Sequence, residues 1–159
     1  MTSARPQAQP AVGQTAPDFS LPSTSGTPMT LSSWRGRKNV LLAFFPLAFT
    51  SVCSREMCEF YEDIDQFAAA ETEVFGISVD SSPTHREFQF KNGIRTEMLS
   101  DFKREVSRRY GVLDEENFFS HRSYFLVDKA GVLRWMHVEA DDGQMREVRD
   151  ILEQIRKLA

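Results

Sequence analysis

Cys53 and Cys58 are the only thiols in the chain, and they stand five positions apart in "FFPLAFTSVCSREMC", residues 44–58. The run opens apolar and closes charged, with Pro46 inside it, the pattern of a buried strand giving way to a helix. Cys53 then falls in the first turn of that helix, four residues before Met57 on its apolar stripe. A free thiol has a pKa of about 8.5 and is only a few per cent thiolate at neutral pH. Unpaired N–H donors and the partial positive charge of a helix N-terminus favour the thiolate. The position suits a reactive sulfur, and it equally suits an inert cysteine packed as a small hydrophobe. Thr50, three residues earlier, can cap the helix or face the sulfur, and Ser51 can cap as well. Pro46 ends the strand and is ordinarily just a turn device.

Composition narrows the chemistry. A chain of 159 residues with 41% hydrophobic side chains and thirteen phenylalanines fills one domain with a core that needs no disulfide staples. A net charge of −4 argues against nucleic acid or an anionic membrane as partner. The locally basic residues 103–110 are offset by Asp101 and Glu105 and read as a solvated helix face. No run approaches the roughly 18 apolar residues of a membrane span. Residues 1–12, rich in Pro, Gln, Ala and Ser, read as a disordered leader rather than a signal peptide, with one domain over 13–159. The expected compartment is the reducing cytoplasm, where thiols are more often catalytic or metal-binding than structural.

The elements that must position these residues follow from periodicity. "DFSLPSTSGTPMTLSSW" predicts two short strands about Ser25-Gly26, then a helical turn at 32–35. "KNVLLAFF" predicts a strand buried on both faces, and Met57, Phe60, Tyr61, Ile64, Phe67 and Ala68 one continuous helix. "EVFGISV" is a second buried strand, followed by a helix with Ser82 as N-cap and Pro83 at its first position. A short strand at 98–100 precedes a helix capped by Asp101 and carrying Phe102, Val106 and Tyr110. "RSYFLVD" and "VLRWMHV" form an antiparallel pair through "KAG", and a last helix aligns Met145, Val148, Ile151, Leu152, Ile155 and Leu158. This order predicts an α/β, thioredoxin-like fold: a mixed central sheet flanked by helices.

Pro46, Thr50 and Cys53 spell P-x3-T-x2-C, which resembles the active-site motif of the peroxiredoxins, with "LLAFFPLAFTSVCSREM" most similar to the alkyl hydroperoxide reductase E subgroup. "HRSYFLVDKAGVLRW" resembles the family segment whose arginine enters the thiol site, here Arg122, and the likeness runs from about residue 12 to the end. The resemblance implies a cofactor-free thiol peroxidase for hydrogen peroxide and organic hydroperoxides, with Cys53 as the peroxidatic thiol that becomes a sulfenic acid. It implies that the Thr50 hydroxyl, the Arg122 guanidinium and the N–H groups of Val52 and Cys53 stabilise the displacement, that Pro46 shields the sulfur, and that Glu56 orients the arginine. Exposed roles for Arg122 and Glu56 remain the alternatives.

The C-x4-C spacing resembles the bacterioferritin comigratory protein subgroup, in which the second cysteine resolves the sulfenic acid within one chain; this gives Cys58 a resolving role. The partner would be a thioredoxin-like or low-molecular-weight thiol reductant, and the chain a monomer or homodimer. On an intact helix the two Cα atoms would lie roughly 8 to 9 Å apart, beyond the ~7 Å that a disulfide spans without backbone movement. The first turns must therefore unwind for Cys53 to reach Cys58; otherwise Cys58 is a bystander and an external thiol acts. His85, His121 and His137 are too scattered for a zinc site. The C-x2-C of a disulfide oxidoreductase is absent. A redox-sensing or holdase module is the reading from another class.

Overall fold

The structure, a computed structural model, describes residues 9–158 apart from the side chains of Val52 and Cys53. Residues 1–8 of the expected leader thus lie outside the described residues. The chain begins with a hairpin of β1 (Ser20–Leu21) and β2 (Met29–Thr30), followed by a 3-10 turn over Leu31–Trp34. Then come β3 (Asn39–Phe44), α1 (Ser51–Glu62), α2 (Ile64–Ala69) and β4 (Thr72–Ser78). After them run α3 (Ser82–Asn92), β5 (Glu97–Ser100) and α4 (Glu105–Arg109). A small hairpin of β6 (Leu113–Asp114) and β7 (Phe119–Ser120) leads into β8 (Ser123–Val127), β9 (Leu133–Val138) and α5 (Val148–Arg156).

Five strands form one mixed sheet in the order β5-β4-β3-β8-β9, parallel across the first three and antiparallel across the rest. This is the thioredoxin-like arrangement expected from the element order. All six residues of β3 are buried because the strand serves two cores. Leu41, Ala43 and Phe45 pack with Met57, Phe60, Phe67, Phe88 and the apolar stripe of α5. Val40, Leu42 and Phe44 pack with the first hairpin, Val106 and Tyr110. Gly76 of β4 lets α1 approach closely, since a Cβ there would meet Met57 Sδ at 2.8 Å.

Several boundaries differ from the sequence pattern. The expected single helix over Met57 to Ala68 is two, parted at Asp63, whose backbone (φ −104°, ψ 14°) leaves the helical course between them. α3 takes Ser81 rather than Ser82 as N-cap, its side chain accepting from Thr84 N–H, and Pro83 falls one position later than expected. Phe102 is exposed and outside α4. Asp101 still caps that helix, reaching past Arg104 in a left-handed conformation (φ 63°) to accept from the N–H groups of Val106 and Ser107. α5 starts at Val148, leaving Met145 in the preceding loop.

The topology explains where a site must form. From β3 the chain crosses to β4 on one side and returns as β8 on the other, so a crevice opens beyond the C-terminal end of β3. Register places Phe44 beside both Ile77 and Ser123. The segment entering α1, the one leaving β4 and Arg122 before β8 therefore converge at one end of the sheet.

Candidate active site

The segment between β3 and α1 is tightly built. Pro46 is buried, while Phe49 and Thr50 are exposed. Phe49 adopts a left-handed backbone conformation (φ 67°) and sets its ring edge-on to Phe88, centroids 5.2 Å apart. Thr50 occupies the N-cap position of α1 but makes no side-chain cap; its hydroxyl donates instead to Leu47 O at 2.9 Å. The first N–H groups of a helix lack intrahelical partners, and α1 has no acidic residue in its first turn. The end of this helix is therefore suited to an anion. Cys53 is the third residue of α1; its side chain lies outside the described residues.

Three positions further along α1, on the same helix face by spacing, is Glu56. Neither it nor Arg122 is exposed: each retains 1% of its surface. Arg122 Nη1 donates to Glu56 Oε1 at 2.9 Å, and the Tyr124 hydroxyl donates to Glu56 Oε2 at 2.7 Å. The loop before α5 holds Arg122 from the other side. Arg122 N–H donates to Asp142 Oδ1 and Arg122 Nε to Asp142 O, both at 3.1 Å. Burial pushes the Glu56 carboxyl up to about 7, against the pull of Arg122 and Tyr124. The exposed alternatives for Glu56 and Arg122 are thus excluded. The pair is a rigid buried cation–carboxylate unit one helical turn from position 53.

A second polar group, unconnected with the site by any sequence pattern, braces the entering segment. Asp80 Oδ2 accepts from Ala48 N–H at 2.8 Å and from the Ser78 hydroxyl at 2.6 Å. Ser78 Oγ also lies 2.6 Å from His85 Nε2. The one hydroxyl proton goes to the carboxylate, so His85 carries its proton on Nε2 and donates to Ser78 Oγ. His85 Nδ1 is buried and unpartnered, and burial lowers the imidazole to about 4. His85 is therefore neutral, and its low basicity and buried Nδ1 suit a structural brace and not a general base. The signal was present in "VDSSPTHR" directly after β4, but there it read only as a helix start.

The AhpC/TSA family model matches residues 12–136. Alkyl hydroperoxide reductase E of Mycobacterium tuberculosis (strain ATCC 25618 / H37Rv) is 39% identical over 141 residues, 87% of this chain and 90% of that protein. The chain belongs to the AhpC/TSA family, the peroxiredoxins. Peroxiredoxin 2 of Thermoplasma acidophilum is 37% identical over 92% of this chain and 75% of its own length. The reduced 2-Cys peroxiredoxin of Plasmodium vivax superposes with a TM-score of 0.84 at 31% identity, covering 92% of this chain and 95% of that one. Fold and family are thus those of the thiol peroxidases.

Within this peroxiredoxin the expected site residues separate into two groups. Pro46 and Thr50 lie in the segment entering α1, and Glu56, three residues along α1 from position 53, holds Arg122. Cys58 does not join them. It is half-buried on α1, packs beside the core that contains Met57, and sets its Sγ 4.0 Å from Asn92 O. Burial, then Glu62 and Glu59, raise its pKa. Tyr124, Asp142 and Asp80 were not anticipated. His121 lies at the rim, its Nδ1 3.4 Å from Asp142 Oδ1. Among the described residues no group of His, Cys, Asp and Glu could hold a metal ion, and no helix is long and apolar enough to cross a membrane.

Proposed function

We propose that the chain reduces hydrogen peroxide and organic hydroperoxides through Cys53. The observation that carries this reading is the buried Arg122–Glu56 pair one turn along α1 from that cysteine. Arg122 cannot deprotonate and presents a planar fork of donors. A cation so placed favours the thiolate and binds a peroxide oxygen. The thiolate attacks one oxygen; the S–O bond forms as the O–O bond breaks, giving Cys53 sulfenic acid and an alkoxide or hydroxide that takes a proton. Arg122 and the N–H groups of Val52 and Cys53 are the preorganised donors for the charge moving between these oxygens, and the Thr50 hydroxyl joins them by turning its proton away from Leu47 O. Pro46 limits water at the sulfur.

Cys58 then completes the cycle. Its thiolate attacks the Cys53 sulfur, hydroxide leaves as water, and the disulfide is returned to two thiols by a thioredoxin-type reductant in the cytoplasm. The first turns of α1 unwind for this step. A second reading, recycling by an external low-molecular-weight thiol, draws on the partial burial and raised pKa of Cys58.

Intact mass after one equivalent of peroxide separates the two. Loss of two hydrogens per chain is expected for the disulfide, and a gained oxygen denotes a persistent sulfenic acid and the one-cysteine route. Cys53→Ser should abolish peroxide consumption; appreciable residual turnover overturns the assignment. A sensor would react once, so repeated turnover with a thiol reductant also separates an enzyme from a redox-sensing or holdase module.

A further inference from the structure

The proton of the Tyr124 hydroxyl has one place to go. Arg146 N–H donates to Tyr124 Oη at 3.0 Å, and an amide can only donate. The phenol proton is therefore directed at Glu56 Oε2, 2.7 Å away. Burial, with Glu56 adjacent, drives the phenol pKa far above its usual value, so this donor does not ionise. Arg122 Nη1 occupies the other carboxylate oxygen. Both bonds are stronger to the carboxylate than to the neutral acid, so the two donors together favour the carboxylate while burial opposes it.

The other charges around this carboxylate come from two segments. Glu139, following β9, is buried; it accepts from Arg146 Nε at 2.9 Å and lies 3.2 Å from His137 Nε2. Its like charge further raises Glu56. Asp142 faces Arg122, with His121 beyond it. Among these groups Tyr124 is the neutral donor whose removal alters the balance without adding or deleting a charge.

We propose that Tyr124 is a positioning residue that favours the ionised form of Glu56 and so holds back part of the Arg122 charge from the thiol at the start of α1. The proposal rests on Cys53 being that thiol. With Glu56 ionised the pair is neutral; with Glu56 protonated it carries a net positive charge, which stabilises a nearby thiolate. Tyr124 thus restrains thiol reactivity at neutral pH.

The test is the pH dependence of Cys53 alkylation by iodoacetamide in a Cys58→Ser background. Tyr124→Phe should move the midpoint down by on the order of half a pH unit, raising alkylation on the acid side by about threefold. Site-specific 3-fluorotyrosine at position 124, a stronger donor of nearly the same size, should move it up. In Glu56→Gln, which has no carboxylate to protect, Tyr124→Phe should add nothing. An unchanged or raised midpoint in Tyr124→Phe, no upward movement with fluorotyrosine, or an equal shift in the Glu56→Gln background overturns the proposal. Alkylation uses no peroxide, so its outcome is separate from the Cys53→Ser peroxidase assay.

Discussion

The backbone N–H of Ala48 and the carboxylate of Asp80 meet at 2.8 Å, tying the segment that enters α1 to the end of β4. That bond, with the bond from the Thr50 hydroxyl to Leu47 O, braces the backbone between Pro46 and Thr50, where the exposed Phe49 holds its left-handed conformation. Asp80→Ala should leave the Ala48 N–H and the Ser78 hydroxyl short of an acceptor. Losing an acceptor for such a group costs about 1–3 kcal/mol. A fall in thermal midpoint together with at least a tenfold loss of peroxidase kcat/KM is expected, on the order of the cost just given. Loss of stability with undiminished turnover would remove Asp80 from the positioning of the site.

His85 makes stability depend on acid. Its pKa falls from 6.5 to about 4 on folding, so between these values the unfolded chain binds a proton that the folded chain refuses. Its contribution is present above 6.5 and is lost as pH falls through 4. At ~1.4 kcal/mol per pH unit this amounts to about 3 kcal/mol. Glu56 acts oppositely. Its pKa rises from 4.5 to about 7, so its contribution is present below 4.5 and lost as pH rises through 7. The two slopes oppose each other between about 4.5 and 6.5. Removing one exposes the other. Urea midpoints of His85→Asn should therefore fall from pH 4.5 to 6.5 relative to the parent; parallel curves count against the neutral buried imidazole.

Arg122→Ala should do two separable things. It strands Glu56 in the interior, and breaking a buried pair from one side costs about 3–5 kcal/mol. The replacement Arg122→Met with Glu56→Met should recover much of that loss, because both charges leave together. The thiol should not recover: in both variants its alkylation midpoint rises for want of the cation. A pH–rate profile unchanged by Arg122→Ala would take the arginine out of the site.

Gly76→Ala tests the close approach of α1. The new Cβ would stand 2.8 Å from Met57 Sδ and 3.2 Å from a ring carbon of Phe45. Overpacking of this kind costs about 1–3 kcal/mol, part of it relieved by Met57 bending away. Met57→Ala in the same chain should restore the space, so the two substitutions are expected to be less than additive in denaturant melts. Strict additivity would mean that β4 and α1 are not in contact through this pair.

Much of this was legible because it depends on local pattern. The apolar run of β3, the Pro46–Thr50–Cys53 spacing and the antiparallel β8–β9 pair each lie within a short window. Arg122 was legible through the family resemblance, though its burial was not. Tyr124 was hidden because β8 is buried throughout, so the tyrosine reads as another core aromatic until its hydroxyl meets Glu56 across 68 positions. Asp80 was hidden because its partner is a backbone N–H 32 residues earlier, and sequence patterns carry no record of backbone donors; His85 joins the site only through the Ser78 hydroxyl that Asp80 shares. The break at Asp63 was missed since the apolar spacing continues through it, with Phe60 and Phe67 both in one core.

Glu56 lies between the two cysteines in sequence, and its carboxylate is held by Tyr124 of β8 and by Arg122 just before that strand. Unwinding that carries residue 53 to residue 58 must also pull this tether from its anchors, leaving Arg122 without its counter-charge. The ring closure of a disulfide would then begin with the opening of an ion pair. Oxidised protein would wait at that latch, and a second peroxide would have the length of the wait in which to arrive.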